Sequence, residues 1–223
     1  MSTMKFTVET ILELVKNAYK QGTADFTINS SDCALLVIDL QDEFIKPEWT
    51  PYWVPEATRI IPKINQLIDF SHENQIPVIF TLFSDTHHYY DRPSSGKFMP
   101  NRFNDLNIDQ SSYFKNSQLF KDVHFREGDI LIKKPSYGAF YDTSLETILK
   151  NYKRNTVIIT GTLTNFCCGT TARQAYERGF NVVFGSDVTA TDDPAMQEPE
   201  LKVLRKGFAK VLSLSEIMIE LAK

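Results

Sequence analysis

Three absences narrow the class of this protein. The chain has only three cysteines among 223 residues, two of them adjacent, so it offers no disulfide framework. It has no basic excess, since 24 Lys and Arg stand against 28 Asp and Glu, and a net charge of −4 lacks the footprint of a nucleic-acid-binding protein. No apolar run approaches the roughly 20 residues that span a bilayer, and residues 1–7 show no signal-peptide core. We therefore expect a cytoplasmic protein whose partners include neither nucleic acid nor a membrane.

What the chain does contain is an alternation of apolar strands and amphipathic helices. Near-continuous apolar runs are typical of parallel strands that are covered on both faces. These runs lie at residues 33–40, 77–82, 129–134, 157–159, 181–185 and 210–214, and helical patterns lie between them. Such alternation predicts an α/β fold. We expect one Rossmann-like three-layer domain over residues 1–223, with a six-stranded, mainly parallel sheet in the order 3-2-1-4-5-6 and helices on both faces.

Two segments fall outside this core pattern. The helical period of residues 7–22, with Thr7 and Gly22 as candidate caps, belongs to a predicted N-terminal helical extension over residues 1–30. Residues 83–128 have no strong period and are longer than an ordinary connection, which favours a substrate loop or lid.

A further helix is predicted after the first strand. Its inner face carries Ile60, Ile64 and Leu67, and Pro62 is expected in its first turn, where a proline is tolerated.

Residues 157–179 indicate a buried strand, a tight turn and a helix, with Cys167 and the adjacent Cys168 at the helix entrance. Thr164 or Asn165 is a candidate helix cap. A thiol at this place faces unpaired backbone N–H groups and the positive end of the helix dipole, so we expect its pKa to fall below the reference of about 8.5. The alternative is that either cysteine is a small core residue.

Three reactive groups follow three of the predicted strands. Asp39 follows the first strand, Lys134 the third and Cys167 the fourth. Because ligands of such folds bind outside the carboxyl ends of the strands, these groups could act as base, electrostatic organiser and nucleophile. Taken singly, Asp39 could cap a turn, and Lys133 with Lys134 could form a solvated strand end.

Three motifs resemble the isochorismatase-like cysteine hydrolase superfamily. They are Val-Ile-Asp-Leu-Gln-Asp-Glu-Phe at residues 37–44, Lys-Pro-Ser-Tyr-Gly-Ala-Phe at 134–140 and Thr-Gly-Thr-Leu-Thr-Asn-Phe-Cys-Cys at 160–168. The resemblance extends over about residues 33 to 214 in the order typical of the superfamily. Its members include nicotinamidases, isochorismatases, and amidohydrolases of N-carbamoylsarcosine, ureidoacrylate and biuret.

The resemblance implies an Asp-Lys-Cys triad at Asp39, Lys134 and Cys167. It also implies a cis peptide at Thr162–Leu163, with the backbone N–H groups of Leu163 and Cys167 as the oxyanion hole. The activity implied is cleavage of a C–N bond in a small amide, ureide or carbamoyl compound through a thioester acyl-enzyme, without a cofactor. Because relatives are commonly oligomers, a homodimer or homotetramer is expected.

The resemblance leaves the substrate-binding residues open. Phe44, Trp49 and Tyr137 are candidates, although such aromatic residues could instead pack the first helix or a subunit contact. Arg92, Arg102 and Arg126 could hold an anionic substrate or could be solvated charges.

Other functions also remain open. Asp85 and His87 have the Asp-x-His spacing of a nicotinamidase metal site. The alternative is that they lie in an exposed polar turn. No metal is expected unless the protein is nicotinamidase-like. A catalytically idle relative that binds a metabolite or a partner protein is a third possibility. A flavodoxin-like redox module fits the fold, but Asp39-Leu-Gln-Asp-Glu stands where its glycine-rich phosphate loop would be.

Overall fold

A six-stranded parallel sheet forms the centre of the molecule; the computed structural model describes residues 6–93 and 113–223. The strands are β1 Cys33–Ile38, β2 Val78–Phe83, β3 Ile130–Lys134, β4 Thr156–Thr162, β5 Asn181–Ala190 and β6 Lys210–Leu212. Their order is β3-β2-β1-β4-β5-β6, and each neighbouring pair runs parallel. The predicted α/β class and strand order are confirmed, and the sheet is wholly rather than mainly parallel.

Helices pack on both faces of the sheet. They are α1 Val8–Gln21, α2 Asp42–Ile45, α3 Pro55–Glu73, α4 Leu145–Asn151, α5 Gly169–Glu177, α6 Gln197–Gly207 and α7 Leu214–Leu221. Side chains of β1 alternate between the faces: Leu35 and Val37 join a core with α3 and α7, whereas Leu36 and Ile38 join one with α4, α5 and α6. This alternation produces the predicted three layers.

The N-terminal helix has the predicted ends. The Thr7 side chain accepts a hydrogen bond from the backbone N–H of Thr10, and Gly22 follows the last helical residue with φ of 82°. Helix α1 packs against α6, so it lies outside the two core layers that cover the sheet.

Several predicted boundaries are wrong: β4 continues to Thr162 instead of ending at 159, and β6 ends at Leu212 instead of 214. Helix α3 begins at Pro55, so Pro62 lies inside the helix and not in its first turn. The exposed position of Pro62 explains this, because a missing N–H costs least on the solvent side of a helix. Strand β5 continues beyond Gly185 to Ala190, and a register shift against β4 between Ile159 and Gly161 accommodates the added residues.

Strands β4 and β1 approach each other closely at Gly161. This residue pairs with Ile38, the last residue of β1, and has φ of 117°. A Cβ atom on Gly161 would lie 2.1 Å from the carbonyl oxygen of Ile38. Only glycine fits this close approach, which places the end of β4 directly beside the end of β1.

Across residues 6–93 and 113–223, we find no helix that is both long and apolar enough to cross a membrane.

Candidate active site

Asp39 lies directly after β1 and is fully buried. Its backbone is left-handed, with φ of 51°, a conformation that aspartate tolerates better than most residues. The backbone N–H of Asp39 donates to the carbonyl of Thr81 at 3.1 Å, and the Thr81 hydroxyl donates to Asp39 Oδ1 at 2.7 Å. These contacts hold the carboxylate at the carboxyl end of the sheet, facing the end of β3.

Lys134, the last residue of β3, extends its ammonium to this carboxylate. Its Nζ lies 2.8 Å from Asp39 Oδ2 and donates to the carbonyl of Ser136 at 2.9 Å. Both charged side chains are fully buried, whereas Lys133 points outward and is exposed. The alternative of a solvated strand end therefore applies to Lys133 and not to Lys134.

The ammonium of Lys134 stays protonated in this dry environment. Burial acts to lower its pKa, but the nearby Asp39 and Cys167 outweigh burial and raise the pKa above its ordinary value.

Cys167 lies after β4 and is 3% exposed, with its thiol within reach of both Asp39 and Lys134. Burial raises the pKa of this thiol to about 12, because the lowering effect of Lys134 is smaller than the cost of a buried thiolate, and Asp39 adds to that cost. The predicted lowering of its pKa is therefore wrong. The resting group is a neutral thiol beside a carboxylate.

The turn that carries Cys167 is a π-helical segment, Thr164–Cys168, that leads into α5. The two predicted cap residues hydrogen-bond to side chains outside the helix. The Thr164 hydroxyl donates to the Gln197 side chain at 2.7 Å, and the Asn165 side chain accepts from the Thr191 hydroxyl at 2.5 Å. Neither caps the helix, because both side chains tie the turn to the segment after β5. Such π-helical insertions are frequent at functional sites.

The peptide bond between Thr162 and Leu163 is cis, as predicted. The carbonyl of Leu163 accepts hydrogen bonds from the backbone N–H groups of Phe166 at 3.2 Å and Cys168 at 3.0 Å. Cys168 itself is fully buried in the core shared with α4, α5 and α6, and burial raises its pKa well above the ordinary value. Both adjacent cysteines belong to this core, but the Cys167 thiol forms side-chain hydrogen bonds with Asp39 and Lys134, whereas Cys168 is affected by them only through charge.

A buried polar network beside Asp39 was not predicted from the sequence. The Gln41 side chain accepts from the backbone N–H of Phe83 at 2.7 Å and donates to its carbonyl at 2.9 Å, so it continues the pairing of β1 with β2. Gln41 also donates to Glu43 at 2.8 Å, and Ser117 donates to the other Glu43 oxygen at 3.0 Å. Burial raises the pKa of Glu43 despite these donors.

The sequence gives only partial evidence for the buried hydrogen bonds around Asp39 and Glu43. Thr81 is the one polar side chain in the apolar run of β2, and that exception points to a buried hydrogen bond. Ser117 lies in a segment without period, where no pattern separates a buried serine from an exposed one.

Aromatic rings lie on one side of Asp39, Lys134 and Cys167. Phe83 lies with its ring centre 5.2 Å from Lys134 Nζ and stacks on Tyr137 at 6.3 Å, and Tyr137 contacts Phe166 at 5.5 Å. Burial and the neighbouring Cys167 raise the pKa of Tyr137, so its phenol remains a hydrogen-bond donor. Tyr137 therefore lies near Cys167, and its contact with substrate stays a prediction.

The other two predicted aromatic residues lie farther from this group. Phe44 is buried in the core and contacts Phe114, which in turn contacts Phe83. Trp49 is 42% exposed, with the Lys46 ammonium 4.9 Å from its ring centre. Phe44 packs in the core, and Trp49 makes a surface contact with Lys46. Direct contact with substrate stays a prediction for both residues.

The three candidate arginines differ in what the structure shows of their contacts. Arg92 lies with its guanidinium 4.7 Å from the Phe83 ring centre and acts electrostatically on Tyr137. Arg126 pairs with Asp69 on α3 at 3.0 Å. Arg102 lies outside the described residues. Arg92 is thus the candidate that shares aromatic neighbours with Lys134.

The Asp-x-His spacing does not produce a set of metal ligands. His87 Nδ1 contacts Asp91 at 2.9 Å, while His124, the later histidine, contacts Asp69 on α3 at 3.0 Å. Across the described ranges, no group of three or more His, Cys, Asp and Glu side chains is placed to hold a metal ion. Among residues 6–93 and 113–223, Asp85 and His87 therefore belong to no such group.

Comparison with known proteins identifies the family. The model of the isochorismatase domain matches residues 33–216. Nicotinamidase 3 of Arabidopsis thaliana is 30% identical over 85% of this chain and 88% of its own length. Ureidoacrylate amidohydrolase RutB of Methylorubrum extorquens is 35% identical over 38% of this chain and 34% of its own.

The fold has close counterparts among solved structures as well. A cysteine hydrolase from Pseudomonas syringae pv. phaseolicola superposes with a TM-score of 0.76 at 24% identity, over 88% of this chain and 95% of that one. The family match covers the whole sheet, including the three strand ends that carry Asp39, Lys134 and Cys167. This chain belongs to the isochorismatase family.

Proposed function

We propose that the protein is a cysteine-dependent amidohydrolase that cleaves a C–N bond of a small amide, ureide or carbamoyl compound. The observation that carries this proposal is the buried contact of Asp39 and Lys134, 2.8 Å apart, beside the thiol of Cys167. The names of two relatives, a nicotinamidase and a ureidoacrylate amidohydrolase, support C–N hydrolysis as the reaction class.

The first half of the reaction forms a thioester. Asp39 takes the thiol proton of Cys167, and the sulfur attacks the substrate carbonyl carbon. Lys134 balances the negative charge nearby, and the backbone N–H groups of Leu163 and Cys167 hold the oxyanion. The tetrahedral intermediate collapses with cleavage of the C–N bond, and Asp39 returns its proton to the leaving nitrogen.

The second half consumes water. Asp39 takes a proton from a water molecule, whose oxygen attacks the thioester carbonyl. The C–S bond then breaks, the acid product leaves, and the proton on Asp39 returns to the sulfur of Cys167. The cycle ends with the thiol and the carboxylate as they began.

A screen for released ammonia tests this function. Purified protein is incubated with panels of primary amides, ureides and carbamoyl amino acids, with Cys167→Ala as the blank. We expect release with at least one panel and none above background with the variant. No release from any panel, or equal release by Cys167→Ala, would contradict the proposal.

The second candidate is nicotinamide hydrolysis, which the 30% identity to Nicotinamidase 3 favours. Ammonia release from nicotinamide, measured beside metal analysis of the purified protein, separates it from the ureide class. Activity on nicotinamide with stoichiometric metal would select this candidate. A catalytically idle relative is the third, and any turnover that depends on Cys167 excludes it.

We also place the protein in the cytoplasm. Cys33, Cys167 and Cys168 are all free thiols, and the proposed nucleophile must remain reduced. Detection of the protein in an extracellular fraction rather than the cytosolic fraction would contradict this assignment.

A further inference from the structure

Helix α1 has an apolar face that residues 6–93 and 113–223 leave exposed. Although it is amphipathic, none of its residues is buried. On this face Val8, Ile11 and Leu12 are 71%, 42% and 63% exposed, and Phe6, which precedes the helix, is 72% exposed. Scattered exposed apolar residues are ordinary, but a contiguous set on one helix marks an interaction surface.

The packing of α1 on α6 partly covers the second half of this apolar stripe and leaves its first half open. The Lys206 ammonium lies 4.2 Å from the ring centre of Tyr19, and the Thr23 hydroxyl donates to the Lys206 carbonyl. Val15 and Ala18 are half-buried on the same side. Since successive helical residues are about 100° apart, Val8 and Leu12 extend the stripe of Val15 and Tyr19 toward solvent.

The charges that flank this stripe are divided along the helix. Glu9 and Glu13 lie in its first half, and Lys16 and Lys20 in its second half. Glu9 and Lys16 occupy the same side of the helix, two turns apart, next to Leu12. An antiparallel copy of the same helix brings the acidic half of one against the basic half of the other, whereas a parallel copy opposes like charges.

We propose that the open face of α1 binds the same face of a second copy of this chain, in an antiparallel pair whose two-fold axis passes near Leu12. Positions 9 and 16 are equally distant from this axis, so Glu9 faces Lys16 of the partner subunit and the contact occurs twice. Leu12 and Val8 of each copy fill the centre of the pair, as apolar seams do in paired helices.

Light scattering on the purified full chain tests the pairing. Leu12→Asp places a charge at the centre of the seam, and we expect the mass of the assembly to fall by half. Asn17→Asp adds the same charge on the exposed opposite side of α1 and is expected to leave the mass unchanged. An unchanged mass for Leu12→Asp, or an equal fall for Asn17→Asp, would overturn the proposal.

Charge reversal tests the antiparallel orientation. Glu9→Lys and Lys16→Glu each oppose like charges twice, and each is expected to weaken association about tenfold. The double variant restores both contacts and should associate within about threefold of the native chain. Single variants that associate like the native chain, or a double variant weaker than both, would overturn the orientation.

A cross-link tests the position of the axis without dependence on stability. Leu12→Cys brings two thiols together near the axis, and a mild oxidant should yield a covalent dimer on a non-reducing gel. The native cysteines are all buried, and Ile219→Cys on α7, a position 62% exposed, is the matched control. Absence of the dimer with Leu12→Cys, or equal yield with the control, would reject the proposed axis.

Discussion

At the scale of single residues, Cys167 and Cys168 differ by surroundings rather than by chemistry. Both thiols are buried in one apolar core, but only that of Cys167 forms hydrogen bonds with the Asp39 and Lys134 side chains among the described residues. A sequence pattern cannot distinguish two adjacent thiols by their contacts, so the resemblance to family motifs was needed to choose Cys167.

The two cysteines should respond differently to substitution. Cys167→Ala removes the proposed nucleophile and is expected to lower kcat at least about 10³-fold, with little change in the melting temperature. Cys168→Ala should keep kcat within about fivefold and lower the free energy of unfolding by about 1 kcal/mol, since it leaves a small cavity. Turnover on the best substrate from the screen and urea unfolding measure the two effects; retained activity in Cys167→Ala would refute the assignment.

The ionisation of the resting thiol can be measured directly. With a pKa of about 12, Cys167 should remain a thiol throughout the neutral and mildly alkaline range. We expect the ultraviolet absorbance of a thiolate to be absent from the difference between the native protein and Cys167→Ser up to about pH 10. A thiolate signal near pH 7 would show that Lys134 outweighs burial.

At the scale of elements, the close approach of β4 to β1 at their carboxyl ends fixes where the proposed oxyanion groups lie. Gly161 allows this approach, and the cis peptide and the π-helical turn follow it within seven residues. The position of the turn therefore depends on a contact between backbones.

Gly161→Ala should be strongly destabilising. The added Cβ would lie 2.1 Å from the Ile38 backbone, and the alanine would also have to adopt φ of 117°. We therefore expect the free energy of unfolding to fall by about 3 kcal/mol or more. Gly207→Ala is the control, because its Cβ would meet nothing within 4 Å, and helix propensity predicts a gain of about 0.5–1 kcal/mol. Equal unfolding midpoints in denaturant for the two variants would contradict this account.

Much of the element pattern could be predicted from the sequence, for definite reasons. Buried strands are continuous apolar runs, so β1 and β2 were recognisable, and the caps of α1 are local hydrogen bonds. The length of β5 was not recognisable, because its second half pairs with β4 only after a register shift. The rise in the pKa of Cys167 was missed for a similar reason, since burial depends on the assembled layers and not on the local helix end.

At the scale of the whole molecule, the sheet brings together residues that are nearly 130 positions apart. Asp39, Lys134 and Cys167 come from three strand ends that meet at one edge of the sheet. Strand order and motif positions predict this meeting, but the contacts of Gln41, Glu43 and Ser117 arise only when residues after β2 fold back over β1.

Helix α1 and the proposed active site should be functionally separate. No residue of α1 contacts Asp39, Lys134 or Cys167 among the contacts we describe, and α1 packs on α6. Leu12→Asp should therefore keep kcat and KM within about twofold while it changes the mass of the assembly. Steady-state kinetics at a protein concentration where the native chain is associated checks this; a parallel loss of activity would mean that the partner subunit completes the site.

The burial of Lys134 against Asp39 has a consequence for the energetics of the proposed cycle. The pair is neutral as a whole, and the neighbouring thiol is neutral as well. Each proposed step moves one proton among sulfur, carboxylate, leaving nitrogen and water, so the summed charge of the three groups and a neutral substrate stays at zero through every step. No counter-ion has to enter from solvent, and no net charge has to be transferred into a medium of low dielectric constant. Burial of the three groups therefore adds no repeated cost of moving a net charge out of water during turnover.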